Sequence, residues 1–476
     1  EDSRFAYIFR LHAGDESWYL CEEGLSRTFR FSLGYFNYFQ YPYIHGSEVL
    51  RVPEWVRGAV CYQVFPDRFR IGSGKADRSY INLPWGEKPT PGSFAGGDLD
   101  GGREGLPYLK ELGVSLLYLT PVFRSRSNHK YDVEDYYEVD ACFGGNEALR
   151  ALVKAAHAAG IRVMLDGVFN HCSNENAIFQ DVIRRGRRSP YYGWFYVDGD
   201  AACVERRNYL TFADVPYMPK LNTENDAVID YFCQVGTHWV TEYGIDGWRL
   251  DVADEIAPRF LRRFREAVKA ANPEALIVGE VWHEAHDWLA GDRFDGVMNY
   301  GLTKACLDLL AFGAIDARGF ADRLVLLLMR CTDPANEMMF NLLDSHDTER
   351  FLTRVKGDVR RLRLAMAVAF FLPGIPFLFA GDEIGVMGGY DPDCRRTFEW
   401  DRSRWDGELF RLAQRLAALR RTAPLARGTA AVEEENGVVR ILRRHGGRRA
   451  ELLINPGEMP RGAFGASVSP MDFLIR

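Results

Sequence analysis

Apolar and polar positions along most of the chain alternate between short apolar strands and longer amphipathic helices. From residue 57 onward there are eight strand candidates: AVCYQVFP, VSLLYLTPV, IRVMLDGVFN, IDGWRLDVA, ALIVGEVW, GVMNY, EMMFNLLDSHD and IPFLFAGDE. Stretches such as NEALRALVKAAHAAG and RFLRRFREAVKAANP lie between them, with apolar residues at helical spacing and a closing Gly or Asn-Pro. Parallel strands need crossover helices, and eight such units close on themselves. The pattern therefore predicts the α/β class and, within it, a (β/α)8 TIM barrel.

The pattern changes at both ends of the predicted barrel, which spans residues 53–424. Residues 1–52 carry aromatic residues at alternating positions and predict a partial N-terminal β-sandwich module. A long interruption at about residues 172–226 follows the third strand and predicts an inserted subdomain. Residues 425–476 alternate again and predict a short C-terminal β domain.

Composition changes this picture only by excluding some partners. The chain has 476 residues, of which 47% are hydrophobic and 26% charged, and its net charge is −7. No run of Lys or Arg is interleaved with aromatic residues, so nucleic acid is not a predicted partner. The longest apolar stretch, around residues 364–372, is too short to cross a bilayer.

Cysteine usage bears on the compartment. The nine cysteines are scattered singly, without a CxxC pair or zinc spacing, which is typical of reduced thiols and favours a cytoplasmic protein. The alternative is a secreted protein whose signal peptide has been removed, because the chain begins with Glu1 rather than Met.

Charged and polar residues lie at the ends of four predicted strands, where barrels of this kind carry their chemistry. They are Asp166, Asn170 and His171 after strand three, Arg249 and Asp251 in strand four, Glu280, Trp282 and His283 after strand five, and Asp344, His346 and Asp347 after strand seven. Acids from several strands would repel one another at one mouth of the barrel, so their convergence there indicates a function. Three acids around one cavity suit glycoside hydrolysis, as nucleophile, proton donor and transition-state stabiliser. Arg249 stands two residues before Asp251, shares its face and would hold this acid ionised.

Each of these residues also has a structural interpretation. A single Asp at a strand end is most often a helix cap or turn former, and a lone histidine such as His171 or His346 is more often structural. Tyr131 in NHKYDVEDYY and Trp282 are either core aromatics or platforms for a sugar ring. A metal site is the main functional rival for a cluster of carboxylates and histidines, and Arg249 in the cluster argues against a cation there.

Several segments resemble, in order and spacing, the signature regions of the alpha-amylase family of glycoside hydrolases. They are DGVFNH, GWRLDVADE, GEVW and LLDSHD, with further agreement in YQVFPDRF, MPKLNTEN and GIPFLFAGDE, and the resemblance covers about residues 40–425. MPKLN, EVWH and GGYDPDCRR resemble the branch of cyclomaltodextrinases, neopullulanases and maltogenic amylases. This resemblance implies a retaining hydrolase that cleaves, and in some members transfers, α-1,4-glucosidic and sometimes α-1,6-glucosidic bonds. The implied substrates are cyclodextrins, pullulan, maltooligosaccharides or starch.

The resemblance also implies roles for individual residues. Asp251 would be the nucleophile, Glu280 the proton donor and Asp347 the acid that grips the hydroxyls of the distorted sugar. The implied substrate-binding residues are His129, Tyr131, His171, Arg249, Glu255, Trp282, His346, Asp393 and Arg395. Two other interpretations are an exo-acting α-glucosidase of the same family and a non-catalytic scaffold of the same fold. The presence of all three acids disfavours the scaffold, and MPKLN disfavours the α-glucosidase.

The chain departs from this branch at two places. Residues 1–52 resemble only the second half of the N-terminal β-sandwich of the branch, so monomer and homodimer are both open. The loop RIGSGKADRS lacks the Asn and Asp series that usually holds calcium in relatives, and only Asp77 and Asp98 remain as hard ligands. Glu255 stands where ordinary alpha-amylases have a calcium-ligating His. The sequence therefore predicts no metal and no other cofactor.

Overall fold

The barrel strands form where apolar residues are buried on both faces, as expected of parallel strands covered by helices. The computed structural model describes residues 5–30, 37–41, 43, 45 and 49–476. Its barrel strands are β1 (Cys61–Val64), β2 (Leu116–Leu119), β3 (Arg162–Gly167), β4 (Gly247–Leu250), β5 (Leu276–Gly279), β6 (Gly296–Val297), β7 (Phe340–Asn341) and β8 (Ile375–Phe379). Each lies inside a segment predicted as a strand.

The eight strands form one closed parallel sheet. Their order is β6-β5-β4-β3-β2-β1-β8-β7, and every described pair between neighbours is parallel. A parallel bridge between Met298, after β6, and Phe340 of β7 joins the two edges. The predicted fold class is therefore confirmed.

Helices cover the outside of the sheet at most of the predicted positions. They are Leu106–Leu112 after β1, Gly145–Ala158 after β2, Asp226–Glu242 after β3, Pro258–Ala271 after β4, Tyr300–Leu310 and Ala317–Arg330 after β6, Val359–Phe371 after β7, and Gly407–Arg420 after β8. The other helices are Pro66–Phe69, Leu99–Glu104, Ala177–Arg185, Asp333–Glu337, Phe351–Arg354 and Ala423–Arg427. The connection from β5 to β6 differs from the predicted repeat, because its only helical element is the 3₁₀ turn His286–Leu289.

Antiparallel strands flank the barrel in the sequence. The described N-terminal strands are Phe5–Tyr7, Phe9–Ala13, Glu16–Cys21, Gly24–Ser26 and Phe39–Tyr41. Within the predicted N-terminal module, residues 1–4, 31–36, 42, 44 and 46–48 lie outside the described residues. The C-terminal strands Thr429–Glu435, Val438–His445, Arg448–Asn455 and Asp472–Ile475 form one sheet, and Arg461–Ala463 pairs with Ala466–Val468.

The segment between β3 and helix Asp226–Glu242 folds back onto the mouth of the barrel. Isolated bridges join His171 to Lys220, Phe195 to Leu221, Val197 to Tyr209 and Thr211 to Pro219. A short hairpin of Phe123–Arg124 and Asp135–Val139 follows β2. These two segments bring Lys220 and Tyr131 toward the strand ends. In the described part of the chain, every helix is too short or too polar to span a membrane.

Candidate active site

A cleft of about 520 Å³ opens at the carboxyl ends of the barrel strands. Its lining comes from several strand ends and from the segment after β3: His129, Tyr131, His171, Phe212, Val215, Met218, Asp251, Val252, Asp254, Glu255, Glu280, Trp282, His283, Asp347, Asp391 and Arg395. Nine of the twelve predicted site residues are in this set. Of the other three, Arg249 and His346 are fully buried and contact the lining residues, and Asp393 lies outside the cleft.

Arg249 is the centre of the cluster. Its Nη1 donates to Asp251 Oδ1 at 2.7 Å and to Asp166 Oδ1 at 2.9 Å. Its Nη2 contacts Glu280 Oε2 at 2.8 Å and lies 4.0 Å from Asp347 Oδ2. The register of β3 and β4 places Asp166 directly beside Arg249. One guanidinium therefore holds carboxylates from four strands, which explains why a core strand tolerates the charged pair.

The cluster carries more negative than positive charge, and burial makes this excess unfavourable. Burial raises the pKa of Asp251 well above its usual range, Glu280 and Asp166 raise it further, and Arg249 opposes the rise. Burial also raises the pKa of Asp166 to about 6. Arg249 therefore lowers the pKa of Asp251, as the sequence predicted, but burial raises this pKa by more.

Glu280 is tied to the residue that follows Asp251. Its Oε2 accepts a hydrogen bond from the backbone N–H of Val252 at 2.9 Å, and its Oε1 accepts one from Trp282 Nε1 at 2.9 Å. Val252 has φ of 45°, in the left-handed region that a β-branched residue rarely adopts. Such strain persists only where the surrounding structure imposes it, and it is common at active sites. Here the strained turn directs the Val252 N–H at Glu280.

Asp347 is held from the opposite side by Arg395. The Nη2 of Arg395 donates to Asp347 Oδ1 at 3.3 Å, and its Nη1 pairs with Asp391 Oδ1 at 2.9 Å. The Nε of Arg395 donates to the carbonyl of His346 at 2.7 Å. Arg395 thus links the third acid to the end of the cleft where Asp391 lies.

The structure places Asp393 differently from the expectation. Its carboxylate accepts hydrogen bonds from the backbone N–H of Gly389 at 2.8 Å and from Arg396 Nε at 2.9 Å. Asp393 therefore stabilises the loop in which it lies. Asp391 lines the cleft instead. The segment DPD offers two aspartates two positions apart, and the loop conformation decides which of them faces the cleft.

The predicted aromatic and histidine residues lie on the walls. The rings of His129 and Tyr131 stack at 5.9 Å between centroids, and Trp282 is 45% exposed while it stacks on Tyr300 at 4.0 Å. His171 is fully buried, and burial lowers its pKa to about 3, so its ring is neutral. Its Nε2 is buried and has no hydrogen-bond partner within the described residues.

Sequence reasoning missed an apolar wall. Phe212, Val215 and Met218 come from the segment after β3, and the Phe212 ring lies parallel to His171 at 4.6 Å. These residues carry no periodic signal, and the only available indication was that Met218 begins the segment MPKLN and the other two lie shortly before it. Asp166 was recognised at a strand end but not assigned to the site. Its position at a strand end was the available signal, and the register of β3 with β4 places it beside Arg249.

At the two positions that the family resemblance connects with calcium, the residues do not fit a divalent cation, because a lysine occupies each. Lys75 Nζ contacts Asp98 Oδ2 at 3.0 Å and the carbonyl of Cys142 at 2.6 Å. Lys220 Nζ contacts Asn170 Oδ1 and Glu255 Oε2 at 2.5 and 2.6 Å. Among the residues that the structure describes, no group of three His, Cys, Asp or Glu side chains is arranged to hold a metal.

A closed parallel barrel with three acids and an arginine at its strand ends has the groups that glycoside hydrolysis requires. The model of the alpha-amylase catalytic domain matches residues 63–415, and the chain belongs to the alpha-amylase family. It is 45% identical over 423 residues to a cyclomaltodextrinase of Thermoanaerobacter pseudethanolicus, covering 88% of this chain and 73% of that protein. It is 46% identical over 431 residues to neopullulanase 2 of Thermoactinomyces vulgaris, with coverage of 89% and 73%. The structure of a cyclic alpha-maltosyl-(1→6)-maltose hydrolase from Arthrobacter globiformis superposes with a TM-score of 0.86 at 36% identity, covering 90% of this chain and 99% of that one.

Proposed function

We propose that the protein cleaves α-1,4-glucosidic bonds of cyclodextrins, pullulan and short maltooligosaccharides with retention of the anomeric configuration. The observation that carries this proposal is the Arg249 guanidinium, whose two Nη atoms contact Asp251 and Glu280 beside an open cleft. Retaining enzymes need two carboxyls about 5–5.5 Å apart, whereas inverting enzymes leave room for a water at about 6.5–9.5 Å. Contact with one guanidinium favours the shorter separation.

The residues then act in two steps. In the first, an oxygen of Asp251 bonds to the anomeric carbon while the bond to the leaving glycosidic oxygen breaks and that oxygen takes a proton from Glu280. In the second, Glu280 takes a proton from water, the water oxygen bonds to the anomeric carbon, and Asp251 is released. A sugar hydroxyl in place of water gives transfer. Asp347, held by Arg395, binds hydroxyls of the distorted sugar and steadies the positive charge of the transition state.

The two ends of the cleft bind the two parts of the substrate, on either side of the bond that is cleaved. The exposed face of Trp282 supplies an aromatic platform on the acceptor side, and Glu255 lines the same cleft. Asp391 and Arg395 supply charged hydrogen-bonding groups on the donor side, where the sequence had pointed to Asp393. Tyr131 lines the same cleft, with its hydroxyl 3.0 Å from Asp166 Oδ2.

The proposal includes no metal and a cytoplasmic location. The ammonium groups of Lys75 and Lys220 already supply positive charge to the oxygen atoms that would otherwise attract a cation. All nine cysteines are free, as suits a reducing compartment. The oligomeric state, monomer or homodimer, stays a prediction that solution mass decides.

A panel of substrates tests the proposal. We expect reducing ends to be released from γ-cyclodextrin, pullulan and maltotriose, and proton NMR to show the α-anomer as the first product. A first-formed β-anomer would refute retention, and release of glucose only from chain ends would indicate an exo-acting α-glucosidase. Absence of activity on every substrate would indicate a scaffold.

Cyclic α-maltosyl-(1→6)-maltose belongs in the same panel as a second candidate substrate. The structure of the hydrolase of that sugar is matched over nearly its whole length, at 99% coverage. A kcat/KM on this cyclic tetrasaccharide well above that on γ-cyclodextrin would move the assignment to that substrate. The reverse ratio would support the cyclodextrin proposal.

A further inference from the structure

His346 is a fully buried histidine next to Asp347, with a polar partner on each ring nitrogen. Its Nδ1 lies 2.7 Å from Nε2 of Gln63, a residue of β1. Its Nε2 lies 2.6 Å from the hydroxyl of Tyr131 and 3.2 Å from Asp347 Oδ1. The two nitrogens of a neutral imidazole have opposite roles, one donating and one accepting. The proton's position therefore determines what His346 offers to Asp347 and to Tyr131.

The neighbouring groups determine which nitrogen carries the proton. The hydroxyl of Tyr131 also lies 3.0 Å from Asp166 Oδ2, and both oxygens of this carboxylate accept hydrogen bonds from Arg249. An ionised carboxylate only accepts, so the single phenolic proton of Tyr131 is donated to Asp166. The Tyr131 oxygen must then accept from His346. A bare Nε2 would direct its lone pair at the lone pairs of both Tyr131 and Asp347, so Nε2 carries the proton.

Gln63 supplies the matching partner on the other side of the ring. With the proton on Nε2 of His346, Nδ1 is an acceptor, and the Gln63 amide N–H donates to it. The Oε1 of the same amide is buried and has no hydrogen-bond partner in the described part of the chain. A reversed amide would satisfy Oε1 only by moving the histidine proton to Nδ1. An unpaired buried oxygen is unfavourable. The amide orientation that leaves Oε1 unpaired is therefore explained by Nδ1 of His346, which needs a hydrogen-bond donor.

We propose that Gln63 is a positioning residue that fixes His346 as the Nε2–H tautomer, and thereby keeps an N–H directed at the Tyr131 hydroxyl and at Asp347, both of which line the cleft. The effect on activity rests on the proposed function, whereas the tautomer is a property of the free protein. Burial lowers the pKa of His346 well below its usual value, and the charges of Arg395 and Arg249 lower it further. The ring is therefore neutral, and a neighbouring hydrogen-bond partner can determine which of its two nitrogens carries the proton.

The test is NMR of the full chain labelled with ¹⁵N in its histidine rings, with the His346→Gln spectrum to assign the resonances. We expect a protonated Nε2 and an unprotonated Nδ1 for His346 in the wild type. Gln63→Glu places a carboxylate against Nδ1 and should move the proton to that nitrogen. Gln63→Met removes the donor, and kcat/KM on γ-cyclodextrin should fall about 10- to 100-fold, as when a group that orients a functional histidine is lost.

A matched control is Gln414→Met, which removes a glutamine whose amide donates to the carbonyl of Glu111 on the outside of the barrel. It should leave both the His346 tautomer and kcat/KM unchanged. A wild-type spectrum with the proton on Nδ1 would overturn the proposal. So would a folded Gln63→Glu variant with the wild-type tautomer and rate. If neither Gln63 variant folds, a wild-type spectrum with the proton on Nδ1 would still overturn the proposal. Failure of the proposed function would show separately as an inactive wild type.

Discussion

Replacement of Arg249 by Met should destabilise the protein and abolish activity together. The guanidinium contacts Asp166, Asp251 and Glu280 at 2.7 to 2.9 Å, and its own side chain is fully buried. Removing one partner of a buried ion pair usually lowers the free energy of unfolding by about 3–5 kcal/mol, because the other charge is left without compensation. Since three close carboxylates lose their cation here, we expect a value toward the upper end of this range.

The loss of stability should depend on pH. Burial already raises the pKa of Asp251 and sets that of Asp166 at about 6, so without Arg249 both acids bind protons more readily in the folded state. Protonation removes the uncompensated charge, and the destabilisation should be smaller at pH 5.5 than at pH 8. In any residual activity, the acid limb of the pH–rate profile should move to higher pH, because the nucleophile must be ionised.

Urea unfolding and initial rates on γ-cyclodextrin measure both effects. We expect kcat/KM of Arg249→Met to fall at least about 100- to 1,000-fold, as when a preorganised charge is removed from an active site. The double variant Arg249→Met/Asp166→Asn should recover part of the stability, since one stranded carboxylate is gone, and none of the activity. Arg187→Met, which removes an exposed ion pair with Asp200, is the control for a lost arginine. An Arg249→Met protein within about 1 kcal/mol of the wild type at pH 8 would refute this account of the cluster.

Three further predictions concern the acids and the cations. Asp251→Asn and Glu280→Gln keep the side-chain shape, so turnover should fall by several powers of ten with an unchanged thermal midpoint; a variant that keeps more than about a tenth of the rate would contradict the assignment. Burial raises the pKa of Glu383 from 4.5 to about 7, so the folded protein keeps a proton that the unfolded chain releases, and stability should decline as the pH rises from about 4.5 to 7. The decline in the free energy of unfolding should be about 3 kcal/mol. Thermal unfolding across that pH range should show a flatter decline for Glu383→Gln but not for the exposed control Glu147→Gln. EDTA should leave the thermal midpoint and activity unchanged because Lys75 and Lys220 occupy the oxygen-lined positions, and a loss restored by calcium would show that they do not replace a cation.

The sequence by itself determined the barrel and the neighbourhood of the site. Each strand segment contains a short apolar run bounded by a turn, and burial of such a run between helices is a local property of its residues. The acids Asp251, Glu280 and Asp347 could be assigned to one mouth because the carboxyl ends of parallel strands lie on the same side of a barrel. The missing helix between β5 and β6 was not predicted, because a repeat of eight units was assumed where the local sequence has only a 3₁₀ turn.

Only the tertiary structure decided which groups touch. Asp166 joins the cluster because β3 and β4 pair in one particular register, and Phe212 reaches His171 because the segment after β3 folds back over the mouth. Pairing of β8 with both β7 and β1 brings the two ends of the barrel sequence together, so that Gln63 of β1 meets His346 after β7. Alternation along a strand fixes which way a side chain points, but register and closure arise from contacts between distant segments and fix what it meets.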